Sequence, residues 1–264
     1  MDVRWEEHGW ERLAPGVGRR RLPGWDATVG LVCGEGGALL YDTGSSPAEG
    51  VELAVPVRAL LGGRRVTHVA LSHPHFDHVL GTVAFPGAAV YGAAGMAELL
   101  AGAGAEELCA EAVREGVPEA AARAAVARLV LPGHEVGAGD GEEVTVDLGG
   151  GQRVVLVNAG PGHTAHDLAA LVPGAGPVAS GARPGLPGAS PVVFCGDLVE
   201  ESGAPQAGRD AVPEAWPAAL DRLLALGGEG AVYVPGHGAV VDAAFVRAQR
   251  AALAEQFGGS GAPS

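Results

Sequence analysis

His73-Pro74-His75-Phe76-Asp77-His78 sets three imidazoles and one carboxylate within six residues, directly behind the apolar run Val66-Thr67-His68-Val69-Ala70-Leu71. A β-branched and apolar run ending in polar residues reads as a buried strand that delivers side chains from its end. Imidazole nitrogen and carboxylate oxygen suit zinc and related divalent ions. Crowding such groups has no good structural use, because burying them unpaired is costly. The stretch is therefore read as a metal-binding motif.

Three later places repeat the pattern of strand, glycine and ligand-type side chain. Gly162-His163-Thr164 follows Val154 to Val157, Gly196-Asp197 follows Val192 to Cys195, and Gly236-His237-Gly238 follows Ala231 to Val234. Glycine lets the backbone turn sharply and approach a metal closely. Each of these alone is weak, since a strand-end His or Asp is often a turn residue. In this order and number they point to a site with two metals.

The set resembles the metallo-β-lactamase superfamily of metallohydrolases, over nearly the whole chain from about Val29 to Phe257. Asp42-Thr43-Gly44, the His73 to His78 cluster, His163, Asp197 and His237 stand in that family's order. The resemblance implies that His73, His75 and His163 hold one ion, that Asp77, His78 and His237 hold the other, and that Asp197 bridges them. It implies two divalent ions, zinc first among them. Asp77 would also orient the attacking hydroxide, and Asp42 would tie together the loops beneath the metals. His166, three residues after His163, matches a second histidine of glyoxalase II-like motifs; it is either outer support for a ligand or a loop residue facing solvent.

Within the family, flavodiiron proteins carry Glu where this chain has His75, which disfavours a diiron oxidoreductase. Zinc β-lactamases generally lack the bridging Asp, and one branch uses a Cys ligand; Cys195 is expected to point to the same face as Asp197. The ligand set looks more like those of glyoxalase II and lactonases. Residues after His237 are too few for the helical substrate domain of glyoxalase II, and Tyr41, Tyr91 and Tyr233 lie in apparent strands, so no lactonase-type tyrosine stands out. The function implied is hydrolysis of a carboxylic ester, thioester or lactone. Two ions about 3.5–4 Å apart can share a water, lower its pKa and polarise the carbonyl it attacks. The alternatives are a mononuclear iron oxygenase of the persulfide dioxygenase type, a β-lactamase-like amidohydrolase, and a metal-binding protein without turnover.

Composition bears on partners. The chain has no lysine and no isoleucine, and 31 acidic against 17 basic residues give a net charge of −14. That sign disfavours nucleic acid and leaves a small-molecule substrate; Arg19-Arg20-Arg21 is the only basic run. Three widely spaced cysteines, Cys33, Cys109 and Cys195, make no disulfide framework, and Cys33 and Cys195 read as small buried hydrophobes. Met1 to Glu7 has no apolar core behind its charges. No run of about 18 apolar residues occurs, so neither a signal nor a membrane span is expected. A cytoplasmic enzyme is the reading.

The expected architecture is α+β, a four-layer αββα sandwich, as one domain over residues 1–257. Thr28 to Cys33 and Ala38 to Tyr41 form the first hairpin, and Glu143 to Asp147 with Arg153 to Asn158 a second. Ser46 caps a helix with Pro47 in its first turn, and Pro56 is expected to kink or split it. Trp216, Leu220, Leu223 and Leu224 share a face of one late helix, and Asp242 caps another. Residues 93–130 read as a three-helix insert, with Ala122, Val126, Leu129 and Val130 as a buried stripe, placed where it could cap the site. Residues 173–191 read as a mobile loop and 258–264 as a disordered tail. Trp25, in a Pro-Gly turn ahead of the first hairpin, either lines a substrate pocket or packs on the core.

Overall fold

The computed structural model describes residues 4–139, 142–174 and 190–258. Two sheets lie face to face between helices, giving the αββα order of layers. The first sheet has seven strands in chain order: β1 (Glu11–Ala14), β2 (Val17–Arg21), β3 (Thr28–Cys33), β4 (Ala38–Tyr41), β5 (His68–Ala70), β6 (Ala89–Ala93) and β7 (His134–Val136). The second has β8 (Val144–Gly149), β9 (Gln152–Asn158), β10 (Leu168–Val172), β11 (Val192–Glu200) and β12 (Val232–His237), ordered 12-11-10-9-8. Strands β1 to β4 pair antiparallel, β4 to β7 parallel, and β11 pairs parallel with β12.

Strand alternation divides the core into three layers. Val32, Leu39, Tyr41, Leu156, Ala170 and Phe194 face one another between the sheets. Leu31, Leu40, Val69 and Leu71 face outward onto α1 (Pro47–Leu60), α3 (Met96–Ala101), α4 (Ala103–Arg114) and α5 (Glu119–Val126). Val193, Cys195 and Tyr233 face α6 (Trp216–Gly227) and α7 (Ala243–Phe257). Phe194 stacks on Tyr41 with centroids 5.4 Å apart and lies over Gly30, where a Cβ would meet its ring at 2.5 Å. An aromatic ring between two sheets thus needs the one residue without a side chain beneath it.

The caps read from the sequence are present. Ser46 Oγ accepts from Glu49 N at 3.1 Å, and Asp242 Oδ1 accepts from Phe245 N at 2.9 Å. Helix α1, however, runs unbroken through Pro56. Proline removes one helical hydrogen bond, but Leu53, Val57 and Leu60 are buried against the first sheet, and that packing outweighs the local loss. The three insert helices form as expected, but α5 ends at Val126, and Val130 is 40% exposed, outside the buried stripe.

The first hairpin is β1–β2, ahead of the one expected. The arginine run is part of a strand: Arg19 is buried, bonded to Glu11 and to the Gly238 carbonyl, and Arg21 is paired with Asp26. That run is therefore not a basic patch. Of the expected loop at 173–191, residues 175–189 lie outside the described residues, as do 259–264 of the tail. No helix among the described residues is long and apolar enough to cross a membrane.

Phe194→Ala removes a fully buried ring from between the sheets and is expected to cost about 3–5 kcal/mol in chemical denaturation. Val55→Ala, at a site 69% exposed, should change stability by less than about 0.5 kcal/mol.

Candidate metal centre

All seven expected ligands converge at one end of the sandwich, where strands from both sheets finish. His73 and His75 follow β5, and the single-turn helix α2 (Phe76–Val79) carries Asp77 and His78. His163 lies in the loop after β9, Asp197 within β11, and His237 is the last residue of β12. An isolated bridge between Ala27 and His237 ties the two sheets together there.

Two groups form. His73, His75, His163 and Asp197 place one ligand atom each within 4.8 Å of one another, and so do Asp77, His78 and His237. Asp197 touches both. Its Oδ2 lies 3.7 Å from His73 Nε2, 3.6 Å from His163 Nε2 and 3.2 Å from His237 Nε2, and its Oδ1 lies 3.2 Å from His78 Nε2. Asp77 Oδ2 is 3.5 Å from His78 Nε2 and 3.4 Å from His237 Nε2.

The outer nitrogens explain which ring atoms face inward. His78 Nδ1 donates to Asp42 Oδ2 at 2.9 Å, His75 Nε2 to Asp210 Oδ2 at 3.0 Å, His163 Nδ1 to the Gln206 carbonyl at 3.0 Å, and His237 Nδ1 to the Trp25 carbonyl at 2.9 Å. Each partner is an acceptor, so each outer nitrogen holds the proton and a neutral ring offers a bare lone pair inward. His73 Nδ1 pairs with the Ser72 hydroxyl at 2.8 Å. His75 Nδ1 and His163 Nε2 then face each other at 3.0 Å. Two lone pairs at that distance require a proton or a cation between them.

A divalent ion fits this donor set. His73 Nε2, His78 Nε2 and Asp197 Oδ1 are buried and make no hydrogen bond among the described residues. Orphaned polar atoms are uncommon in a folded interior, and these three point into the place that one ion or two would satisfy. The electrostatics agree. Burial opposes ionisation of Asp197, but His78, His73 and His237 outweigh it and hold the carboxyl well below its ordinary range. Burial likewise opposes charge on His75 and His237, yet Asp210 and Glu111 beside the first, and Asp197 and Asp77 beside the second, lift each to about 9. His163, where burial dominates, falls to about 4.

Asp42 is buried beside this cluster. Its Oδ1 accepts from Ser72 N at 2.7 Å while Oδ2 holds His78, locking the two ends of the metal motif from a left-handed backbone at φ 62°. His166 is not on the ligands: its Nδ1 bonds to the Ala94 carbonyl at 2.9 Å. Trp25 meets the site through its carbonyl, while its half-buried ring packs edge-on against Phe76 at 5.2 Å. Cys195 faces the α6–α7 layer, because a break in β11 at Gly196, φ +55°, reverses the alternation before Asp197. Burial pushes its thiol up, away from reactivity. None of the three tyrosines reaches the ligands. Tyr41 Oη donates to the Leu168 carbonyl, Tyr233 Oη to the Gly228 carbonyl, and Tyr91 stacks on His134.

Four supporting residues escape a reading of the sequence: Gln206, Asp210, Glu111 and Glu200. The first two sit in the segment joining β11 to α6, whose composition announces nothing. Glu111 comes from α4 of the insert. Its Oε2 accepts from Phe76 N at 3.3 Å, satisfying the first turn of α2, and its Oε1 lies 3.6 Å from His75 Nδ1. The insert is thus joined to the site. Trp216, fully buried, bonds the Leu198 carbonyl at 3.0 Å and sets its ring edge against His163 at 5.5 Å.

A family model, that of the metallo-beta-lactamase superfamily, matches residues 22–237. The chain belongs to that superfamily. Solved structures agree in fold. The metallo-beta-lactamase FIM-1 from Pseudomonas aeruginosa, in its mono-zinc form, is 19% identical, with 94% of each chain covered and a TM-score of 0.64. TMB-1, in a structure addressing substrate and inhibitor binding, is 20% identical over 94% of this chain and 96% of its own, with a TM-score of 0.62. The metallo-beta-lactamase DIM-1, in a crystal exposed to ceftazidime, is 17% identical over the same shares, at 0.63. No curated protein matches this superfamily member.

A Cβ at Gly236 would overlap Asp197 Oδ1. Gly236→Ala should therefore displace that carboxylate and weaken metal retention by about tenfold or more, whereas Asp210→Ala, which frees His75 from an exposed partner, should cost about 10–100-fold in affinity with little change in melting temperature. Chelator competition reads both. In the metal-free protein His75 and His237 carry protons below about 9, and an ion needs neutral rings. Zinc uptake near pH 7.5 should release protons, with affinity rising as pH goes up through about 9. Calorimetric titration in buffers of different ionisation heat would show this; uptake without proton release would contradict it.

Proposed function

We propose that this chain is a dinuclear metal-dependent hydrolase of a carboxylic ester, thioester or lactone. The observation that carries the reading is Asp197, whose two oxygens lie 3.2–3.7 Å from imidazoles of both ligand groups. His73, His75 and His163 would hold one ion, Asp77, His78 and His237 the other, and Asp197 would be shared. Zinc is the ion expected from imidazole-rich donors. When bound, such ions polarise a carbonyl oxygen and acidify a water between them.

The chain's own residues do the rest. Asp77, between His78 and His237, would accept a hydrogen bond from the attacking water and set its direction. No buried thiol or serine is needed as nucleophile. Outer partners hold five imidazoles in orientation, so that little rearranges during the reaction. Trp25 packs on Phe76 of the α2 turn and the insert reaches the same turn through Glu111, so both would border a substrate held beside α2. An aromatic edge beside an insert rich in Ala, Val and Leu suits a small or apolar acyl group.

Substrate choice follows from charge. The chain has no lysine to grip a carboxylate, and its net charge of −14 repels polyanions. Esters, thioesters and lactones fit better than phosphodiesters or nucleic acids, and β-lactam turnover should be weak. The soluble, cytoplasmic setting proposed for it accords with such small substrates.

Zinc-loaded protein assayed on esters, thioesters, lactones, β-lactams and phosphodiesters should favour the first three classes, with His75→Ala reduced to background. Dominant phosphodiesterase or β-lactamase activity that disappears in that variant would overturn the substrate class. A single bound iron with oxygen consumption would overturn the hydrolytic reading itself.

A further inference from the structure

Glu200 is the last residue of β11, three positions beyond Asp197. In a regular strand such residues point to opposite faces. Here the register against β12 shifts between Phe194 and Gly196 and again between Gly196 and Glu200, where Glu200 comes to lie opposite His237. Irregularities of this kind re-aim side chains beside functional sites. The result is that a Glu200 carboxylate oxygen lies within 4.8 Å of ligand atoms of both Asp197 and His237.

The strand end is held in this shape from outside. Gln249 of α7, buried at 8% exposure, accepts from Glu200 N at 3.0 Å and donates to the Leu198 carbonyl at 2.7 Å. A buried amide devoted to two backbone groups fixes where the side chain of Glu200 begins. Its Oε1 accepts from Ser202 Oγ at 2.6 Å. Glu200 is only 7% exposed, and the carboxylate within reach of it, Asp197, is buried as well. Two buried carboxylates this close are costly unless a cation offsets them. Arg19, the buried arginine near this end of β12, is committed to Glu11 and the Gly238 carbonyl.

We infer that Glu200 is a further ligand for the ion held by Asp77, His78 and His237, making that pocket oxygen-rich while the other remains a three-imidazole pocket. The inference rests on the dinuclear reading above. Its consequence is unequal metal preference. Three imidazoles and one carboxylate suit zinc, whereas two imidazoles with Asp77, Asp197 and Glu200 also suit a harder ion such as manganese.

The test uses metal binding rather than turnover. Metal-free protein is loaded with one equivalent of zinc and titrated with Mn2+, free manganese being read by electron paramagnetic resonance. The wild-type chain should take up a second equivalent. Glu200→Gln should weaken that step by about tenfold or more, with the first zinc equivalent bound as tightly as before. Glu200→Asp, which keeps the charge but withdraws the oxygen by one methylene, should weaken it in the same direction and carries the test if the Gln variant fails to fold. Manganese affinity equal to wild type in a folded Gln or Asp variant would overturn the role of Glu200 and leave the dinuclear reading standing. A wild-type chain that takes up only one ion of any kind would overturn both.

Discussion

A buried carboxylate surrounded by imidazoles governs this molecule. Asp197 lies within 3.7 Å of His73, His78, His163 and His237 and is 9% exposed. In such a place an ion costs several kcal/mol of solvation unless opposite charge is supplied at contact distance. Without metal the imidazoles supply it by taking up protons, which is why His78 and His237 are pushed up while Asp197 is pushed down. With metal the same geometry presents inward lone pairs. Both states use one arrangement, held by residues that lie outside it.

Those outer residues give the fold its shape at this end. Asp42 binds Ser72 N and His78 together, and Thr43 bonds the His78 carbonyl from the other side. Gly81 has to pass so close to the Thr43 carbonyl that a Cβ there would overlap it. Trp25 reaches in from one loop, Gln206 and Asp210 from another, and Glu111 from the insert. Each sheet has a packed core on both faces, and its strand ends fix where these loops start. Precision at the site therefore comes from strands for the ligands and from tertiary approach for their partners.

That division decides how much could be read from residues in order. The motif at His73 to His78 is legible because its spacing is local, and the later ligands because each follows a strand and a glycine. The layers are legible because alternation and helical periodicity report buried faces, and Ser46 and Asp242 announce their helices by capping chemistry. What stays hidden is whatever depends on a distant contact. Arg19 in a polar run becomes buried because β2 is covered and Gly238 offers a carbonyl. Pro56 looks like a break, yet the packing of Leu53 and Val57 carries the helix through it. Cys195 looks like a neighbour of Asp197 until the break at Gly196 turns it away, and a second shift beyond it brings in Glu200, which alternation would have sent elsewhere. Asp210 and Gln206 lie in a loop whose composition resembles any other.

The central claim is that Asp197 joins two metal sites into one. Metal content and X-ray absorption of the zinc-loaded protein, compared between wild type and Asp197→Asn, test it most directly. About two zincs per chain with a metal–metal vector near 3.5–4 Å are expected in the wild type, and at most one zinc with no such vector in the variant. Two zincs retained with the same vector in Asp197→Asn would contradict it.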